Sequence, residues 1–336
     1  MPVDERRAKR LTLASMRKLL LPVLLLGASF LGAPSHAAVS LTPLDAFVVS
    51  HGYGGAQFVS VENTYRLPVK LNGTVGDLTI DTGAAGTVIF KARVKKFGLL
   101  ATETKEPVNG VFGKSAEKLS IVTIPQLAMG NLTLMNVKAA VVSDWNSRAL
   151  YRPYGLSDGL LGLPEMFKYG MVLDLKNHLL LAHPGGRVSA VSDGIRSILT
   201  SQGYSAVPLS VVAGHLQVPA VVNGTSCKLV VDTGAYFTVL DRTFARQARI
   251  GGYDTGLNAQ GLGTNGRGMG YAHFDELRIG DLTIRSASVT ITALNPEITA
   301  GKSKAAGLLG AEYLGLLGGV FDFNSNTLYL HPAKKK

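Results

Sequence analysis

A single cysteine, Cys227, stands in 336 residues. No internal disulfide can form, so the fold must rest on its apolar core. Seven histidines are present, and none falls in a metal-ligand spacing such as HExxH. No metal and no cofactor is expected. Lys and Arg outnumber Asp and Glu by 34 to 23, yet no basic stripe with interleaved aromatics occurs. A nucleic-acid partner is therefore not expected, although the charge can draw the protein toward anionic surfaces. Long apolar runs are scarce too. The stretch from Leu19 to Ala33 is shorter than the roughly 20 residues that cross a bilayer as a helix.

That stretch belongs to a two-part N-terminus. "MPVDERRAKRLTLASMRK" is basic, and "LLLPVLLLGASFLGAPSHA" is apolar and ends in small residues. This reads as a signal peptide over residues 1–37, with Ser35-His36-Ala37 as its cleavage site. A start at Met16 gives a signal that is complete in itself. No cysteine lies near the site, so lipid attachment is not indicated. Export is expected, to the periplasm or as a secreted protein, with no membrane span left after cleavage. An uncleaved anchor is the competing reading, and the shortness of the apolar run argues against it. Cleavage removes six Lys/Arg and two Asp/Glu, leaving 299 residues with a net charge of +7. That length suffices for two sizeable domains.

The chain repeats itself. A shift of 151 residues lays "YRLPVKLNGTVGDLTIDTGAAGTVI" (65–89) on "LQVPAVVNGTSCKLVVDTGAYFTVL" (216–240) without a gap. Farther on, "LAMGNLTL" (127–134) answers "LRIGDLTI" (277–284), and "DGLLG" (158–162) answers "AGLLG" (306–310). "VLDLKNHLLLAHP" (172–184) answers "VFDFNSNTLYLHP" (320–332). Alternating apolar stretches bounded by turn signals make each unit β. Asn-Gly at 72–73 and 223–224 marks tight hairpins, because both central residues of a type I′ turn need positive φ. A short helix is expected after each Asp-Thr-Gly; in the second unit Asp241 can cap it and Gly251 can end it. The expected fold is all-β: two homologous lobes, 38–184 and 206–333, related by a pseudo-twofold axis, with a few short helices. Residues 185–205, rich in Gly and Ser, fit a linker, and 334–336 form a basic tail. Residues 38–57 precede the repeat, which begins near Phe58 and Leu209, and are better suited to an edge strand than to an autoinhibitory plug.

Each unit sets a carboxylate at the end of an apolar strand: "DLTIDTGAAGTVIF" (77–90) and "KLVVDTGAYFTVLD" (228–241). Buried carboxylates are costly unless paired or hydrogen-bonded. Asp81 and Asp232, brought together across the axis, would share one proton. The ionised member can take a proton from a bridging water, and the protonated one can donate to a carbonyl oxygen. Water then attacks an amide without a metal or a covalent intermediate. Glycine permits the tight approach of two such loops, and a Thr hydroxyl can bond across to the opposite loop. A duplicated barrel whose Asp residues merely satisfy turns is the bland alternative, and a buried acid pair is a costly way to make a turn.

These motifs resemble those of aspartic proteases, over nearly all of the mature chain. Asp-Thr-Gly-Ala, two variable residues, then Thr and two aliphatics is most similar to retropepsin-like proteases, which are homodimers giving one Asp per subunit. Fusion of both halves in one chain resembles the pepsin-like arrangement, so a monomer is expected. The resemblance implies acid-protease-type β-barrel lobes and an extended polypeptide substrate. It makes Asp81 and Asp232 the catalytic pair, supported by Thr82, Gly83, Ala84, Thr233, Gly234 and Ala235. It also makes Leu160-Leu161-Gly162 and Leu308-Leu309-Gly310 the hydrophobic-hydrophobic-Gly elements that thread behind each loop. "NGVFGKS" (109–115) and "QGLGTNGRGMG" (260–270) fall where flaps belong, with Val111, Phe112 and Gly113 at one tip and Gly261, Leu262 and Gly263 at the other. Neither offers the Tyr of a pepsin-like flap. Ala85-Gly86 and Tyr236-Phe237 replace the acidic residues that hold substrate backbone in retropepsins.

Two further points bear on function. "GLSDG" (155–159) matches the G-x-S-x-G pattern of serine hydrolases but lacks the strand before it and the helix after it. Two function classes then compete: an exported aspartic endopeptidase, and a non-catalytic peptide- or cell-wall-binding protein on the same scaffold. A binder has no need of a proton-sharing pair, which favours the enzyme.

Overall fold

The computed structural model describes residues 41–110, 113–143, 157–261 and 264–332. The expected signal peptide and basic tail lie outside them. Both Asn-Gly dipeptides make hairpins. Asn72 (φ 50°) and Gly73 (φ 82°) join Thr64–Leu71 to Thr74–Ile80, and Asn223 (φ 46°) and Gly224 (φ 77°) join His215–Val222 to Thr225–Val231. Along Thr64–Leu71, Tyr65, Leu67, Val69 and Leu71 alternate into the core. The strand that follows ends in three buried residues, Leu78, Thr79 and Ile80. A parallel neighbour, Gly159–Leu161, lies along it there, and a strand covered on both faces loses the alternation.

Each lobe is one eight-stranded sheet of the same strand order. In the first, the order is Val59–Val61, Thr64–Leu71, Thr74–Ile80, Gly159–Leu161, Val88–Phe90, Leu132–Val142, Gly113–Met129 and Thr102–Gly110. The second lobe repeats that order with strands between Ser210 and Leu309. Each sheet curls back on itself, through Leu71↔Leu127 in one lobe and Val222↔Leu277 in the other. The fold is thus all-β with two similar lobes and a few short helices.

A third sheet of six strands joins the lobes. Its middle is an antiparallel pair, Val172–Asp174 from the first lobe and Val320–Asp322 from the second, in register at Leu173↔Phe321. Gly54–Gln57 forms one edge and Ser205–Pro208 the other. Helices Pro43–Ser50 and Ser192–Ser201 pack over this sheet, with Leu44, Val48, Ile195 and Leu199 buried against Val172 and Val320. The segment 185–205, expected as a linker, therefore carries a packed helix, and residues 38–57 hold a helix as well as the expected edge strand. The helix after the second Asp-Thr-Gly spans Arg242–Gln247 and is capped by Asp241, whose carboxylate accepts from the Thr243 N–H at 2.8 Å. It ends before Gly251: Arg249 takes the left-handed conformation (φ 56°) and reverses the chain.

Phe321 and Leu173 are both inaccessible to solvent. Phe321→Ala is expected to cost about 3–5 kcal/mol, the usual loss for a fully buried ring, read as a lower urea midpoint for the whole chain.

Candidate active site

Asp81 and Asp232 leave the buried ends of Thr74–Ile80 and Thr225–Val231. The Asp81 N–H donates to the Leu161 carbonyl and the Asp232 N–H to the Leu309 carbonyl, both at 3.0 Å. Leu160, Leu161 and Gly162, like Leu308, Leu309 and Gly310, thus run alongside the loops that carry the acids. Beneath the acids the two lobes interlock. The Thr82 N–H donates to Thr233 Oγ1 at 3.0 Å, and the Thr82 hydroxyl donates to the Val231 carbonyl at 2.8 Å. In mirror image, the Thr233 N–H donates to Thr82 Oγ1 at 3.0 Å and the Thr233 hydroxyl to the Ile80 carbonyl at 2.7 Å. Both threonines are inaccessible to solvent, so each hydroxyl finds its partners only in the other lobe.

The interlock brings the carboxyl groups into hydrogen-bonding contact with each other. A methyl group on Gly83 would overlap the Asp232 carboxylate, and one on Gly234 would overlap that of Asp81. Only glycine fits at either position. Asp232 Oδ1 accepts from the N–H groups of Gly234 (2.9 Å) and Ala235 (3.0 Å), and Asp81 Oδ1 accepts from Gly83 (2.8 Å). Burial, then the charge of Asp232, hold Asp81 well above the usual carboxylate range. Burial also raises Asp232, against the pull of its two amide donors. Amide donors favour the ionised form. Both acids have such donors, both are raised by burial, and the two titrate as one unit.

A second tier supports the loops. Thr87 Oγ1 accepts from the Gly162 N–H at 3.2 Å and donates to the Glu165 carboxylate. Thr238 Oγ1 accepts from the Gly310 N–H at 2.9 Å, while the Thr238 N–H donates to Glu312. Burial raises both glutamates above their ordinary range. Sequence reasoning found the threonines through the repeat and missed the glutamates. Glu165 lies three residues past its glycine and Glu312 two, so the repeat does not superpose them. Their signal was an acid in the first turn of the helix after each Leu-Leu-Gly.

Ala84 and Leu119 pack against one apolar cluster that includes Val108 of the first long hairpin, and Ala235 and Ala259, the latter on the second hairpin, pack against another. Each hairpin therefore rises beside its own acid loop. The strands meet at Gly110↔Gly113 and Gly261↔Thr264; the other tip residues named above, Val111, Phe112, Leu262 and Gly263, lie outside the described residues. The Asn295 side-chain amide, in the second lobe, donates to the Gly110 carbonyl at 3.1 Å. Ser157 of "GLSDG" is buried, accepts from the Thr79 hydroxyl at 3.0 Å and donates to the Gly159 carbonyl at 2.9 Å. It braces two strands and is not exposed as a nucleophile. Among the described residues no cluster of His, Cys, Asp and Glu could hold a metal ion, and no helix is long and apolar enough to cross a membrane.

A family model described as Aspartyl protease matches residues 67–164 and again 218–313. Among solved structures, an aspartic proteinase from Irpex lacteus is similar over 84% of this chain and 98% of its own, with a TM-score of 0.50 and 13% identity. That likeness speaks to the fold. A retropepsin-like aspartic protease from Rickettsia conorii overlaps 39% of this chain and 89% of its own, at 18% identity and a TM-score of 0.27. No curated protein matches the chain in sequence.

Thr82→Ala leaves the Thr233 N–H and the Val231 carbonyl buried without their partner, at about 1–3 kcal/mol for each. Thermal unfolding should show the loss, and Thr82→Ser should recover most of it. A second expectation follows from Glu165. An acid held above its ordinary value binds a proton in the native state that the unfolded chain has released. Its stabilisation is complete below the ordinary carboxylate range and declines as pH rises through that range to the raised constant. Urea midpoints measured against pH should fall over this interval, and less steeply in Glu165→Gln.

Proposed function

The chain belongs to the aspartyl protease family and is an aspartic-type endopeptidase; from that premise we propose that a water held between Asp81 and Asp232 is its nucleophile. The observation that carries this reading is the hydrogen-bonded carboxyl pair, pinned from below by reciprocal threonines. Asp232, taken as the ionised member, takes a proton from the water as its oxygen attacks the peptide carbonyl carbon. Asp81 gives its proton to the carbonyl oxygen, so no oxyanion is left uncompensated. The proton now on Asp232 passes to the departing amide nitrogen as the C–N bond breaks, and the diol proton returns to Asp81. The cycle closes with no covalent intermediate. Substrate lies extended beneath the two long hairpins and pairs with their backbone in the manner of an added strand.

Export and a monomeric state complete the reading. The basic and apolar N-terminus supports the first, and the presence of both acids in one chain supports the second. Protein recovered from outside the cytoplasm should begin at Ala38, and sedimentation should find the active species at one chain.

Asp81→Asn and Asp232→Asn are each expected to lower kcat by about 10²–10⁴-fold, the worth of a positioned acid or base, on a peptide library. Undiminished cleavage by either variant rules out the dyad; tight peptide capture without cleavage by the wild type favours a binding protein. The pH–rate profile should be a bell reporting the pair as a unit. Ala84 and Ala235 bring no hydroxyl to the acids, so the optimum is expected between about pH 4 and pH 6.5. Ala84→Ser with Ala235→Ser should move it toward acid, because a donor to a carboxylate favours ionisation. A basic shift would contradict the hydrogen-bond argument.

A further inference from the structure

Around the acids, the two halves of the site are built from residues of very different size. Past the matching Asp-Thr-Gly-Ala, the first lobe continues with Ala85 and Gly86 and the second with Tyr236 and Phe237. Against each pair lies a hairpin turn of the opposite lobe. The Asn63 side-chain amide, in the turn Glu62–Asn63, donates to the Tyr236 carbonyl at 3.4 Å. In the equivalent turn Ala213–Gly214, a methyl on Gly214 would touch Ala85 at 3.6 Å. One side of the pseudo-twofold axis therefore gathers Glu62, Asn63, Tyr236 and Phe237. The other gathers only alanine and glycine.

The difference is one of surface as well as size. The Tyr236 and Phe237 rings meet edge to face, with centroids 4.5 Å apart and planes at 71°, and Phe237 remains 50% exposed. At Gly86, the position equivalent to Phe237, a side chain would meet nothing within 4 Å. The space a ring fills in one lobe is open in the other. Gly86 also has no left-handed φ, so its backbone would accept a side chain.

We propose that Tyr236 and Phe237 form an aromatic subsite on one side of the cleaved bond that selects a large apolar substrate side chain, while the mirror subsite at Ala85 and Gly86 makes no such selection. The inference rests on the protease reading above. A nearly symmetric site must still bind a peptide, which has a direction. Identical threonines, glycines and acids cannot distinguish its two ends; the Tyr-Phe pair can. A large aliphatic or aromatic side chain laid on the Phe237 ring buries apolar surface on both partners, and ring contacts add to that burial. The substrate class is a polypeptide segment with a bulky apolar residue on one flank and an unrestricted residue at the mirror position.

The test is a cleavage profile over a peptide library in which each position is varied from glycine to phenylalanine. The readout is the ratio of kcat/KM for large apolar residues to that for glycine at each subsite. Tyr236→Ala with Phe237→Gly should lower that ratio by about tenfold or more at one subsite, the scale on which apolar pockets discriminate. Gly86→Phe, placed in open space, should raise the ratio at the mirror subsite on the other side of the cleaved bond. This second variant decides the matter even if the first is poorly folded. Profiles identical to the wild type, or a uniform loss at every subsite, would overturn the inference. Absence of cleavage by the wild type would overturn the protease reading and this inference together. Cleavage that is lost in Asp232→Asn but keeps the same profile in the ring variants would overturn this inference alone.

Discussion

Everything at the site depends on two hydroxyl groups that cannot be satisfied at home. Thr82 and Thr233 are buried beneath the acids, and a buried hydroxyl without partners costs free energy. Each finds one acceptor and one donor in the other lobe. Neither loop can reach its conformation alone, because the satisfaction of one is the satisfaction of the other. The acids above are brought together as a result, and burial, with the charge of Asp232, holds Asp81 well above the usual carboxylate range. Glycine at 83 and 234 leaves out side chains that would overlap the carboxylate of the opposite lobe.

The rest of each lobe transmits this arrangement outward. Leu161 and Leu309 accept from the acids' own amides, and Thr87 and Thr238 hold the glycines just beyond those leucines. Glu165 and Glu312 then hold the threonines. Three tiers of polar contact thus run from the helix starts to the acids. A polar network is favourable there only when its members are satisfied. One atom departs from that rule: Glu312 Oε2 is buried without a partner, which agrees with the raised constant of that group.

Much of this was legible in the sequence because duplication doubles every signal. Asp81 and Asp232, the Asn-Gly turns and the Leu-Leu-Gly strands each appear twice at fixed offsets, and chance does not do that. What escaped was what one copy states weakly. Ser192–Ser201 reads as a linker because of its serines and Gly194, yet Gly194 is small for a packing reason: a methyl there would strike the Phe47 ring. Two of its apolar residues, Ile195 and Leu199, are one helical turn apart and both buried. The partner helix announced itself more openly. Thr42, Pro43 and Asp45 form a complete capping box with proline in the first turn. Ala213 could not be read as a turn residue at all, since its left-handed conformation (φ 51°) is imposed by the hairpin and not by its own preference.

The joining sheet has a mechanical consequence. The lobes are riveted at two levels, by the reciprocal threonines under the acids and by the strand pair Val172–Asp174 and Val320–Asp322 below. A body fastened at two separated points along one seam does not swing open about either. Compliance must therefore reside in what is fastened at one end only. Those parts are the outer ends of the two long hairpins, which in the described residues are tied by side-chain bonds, from Asn295 to the Gly110 carbonyl and from Arg242 and Thr292 to the Gly268 carbonyl. The stiff part of the molecule and the part that must yield to a long chain are thereby kept separate, like an anvil and its tongs.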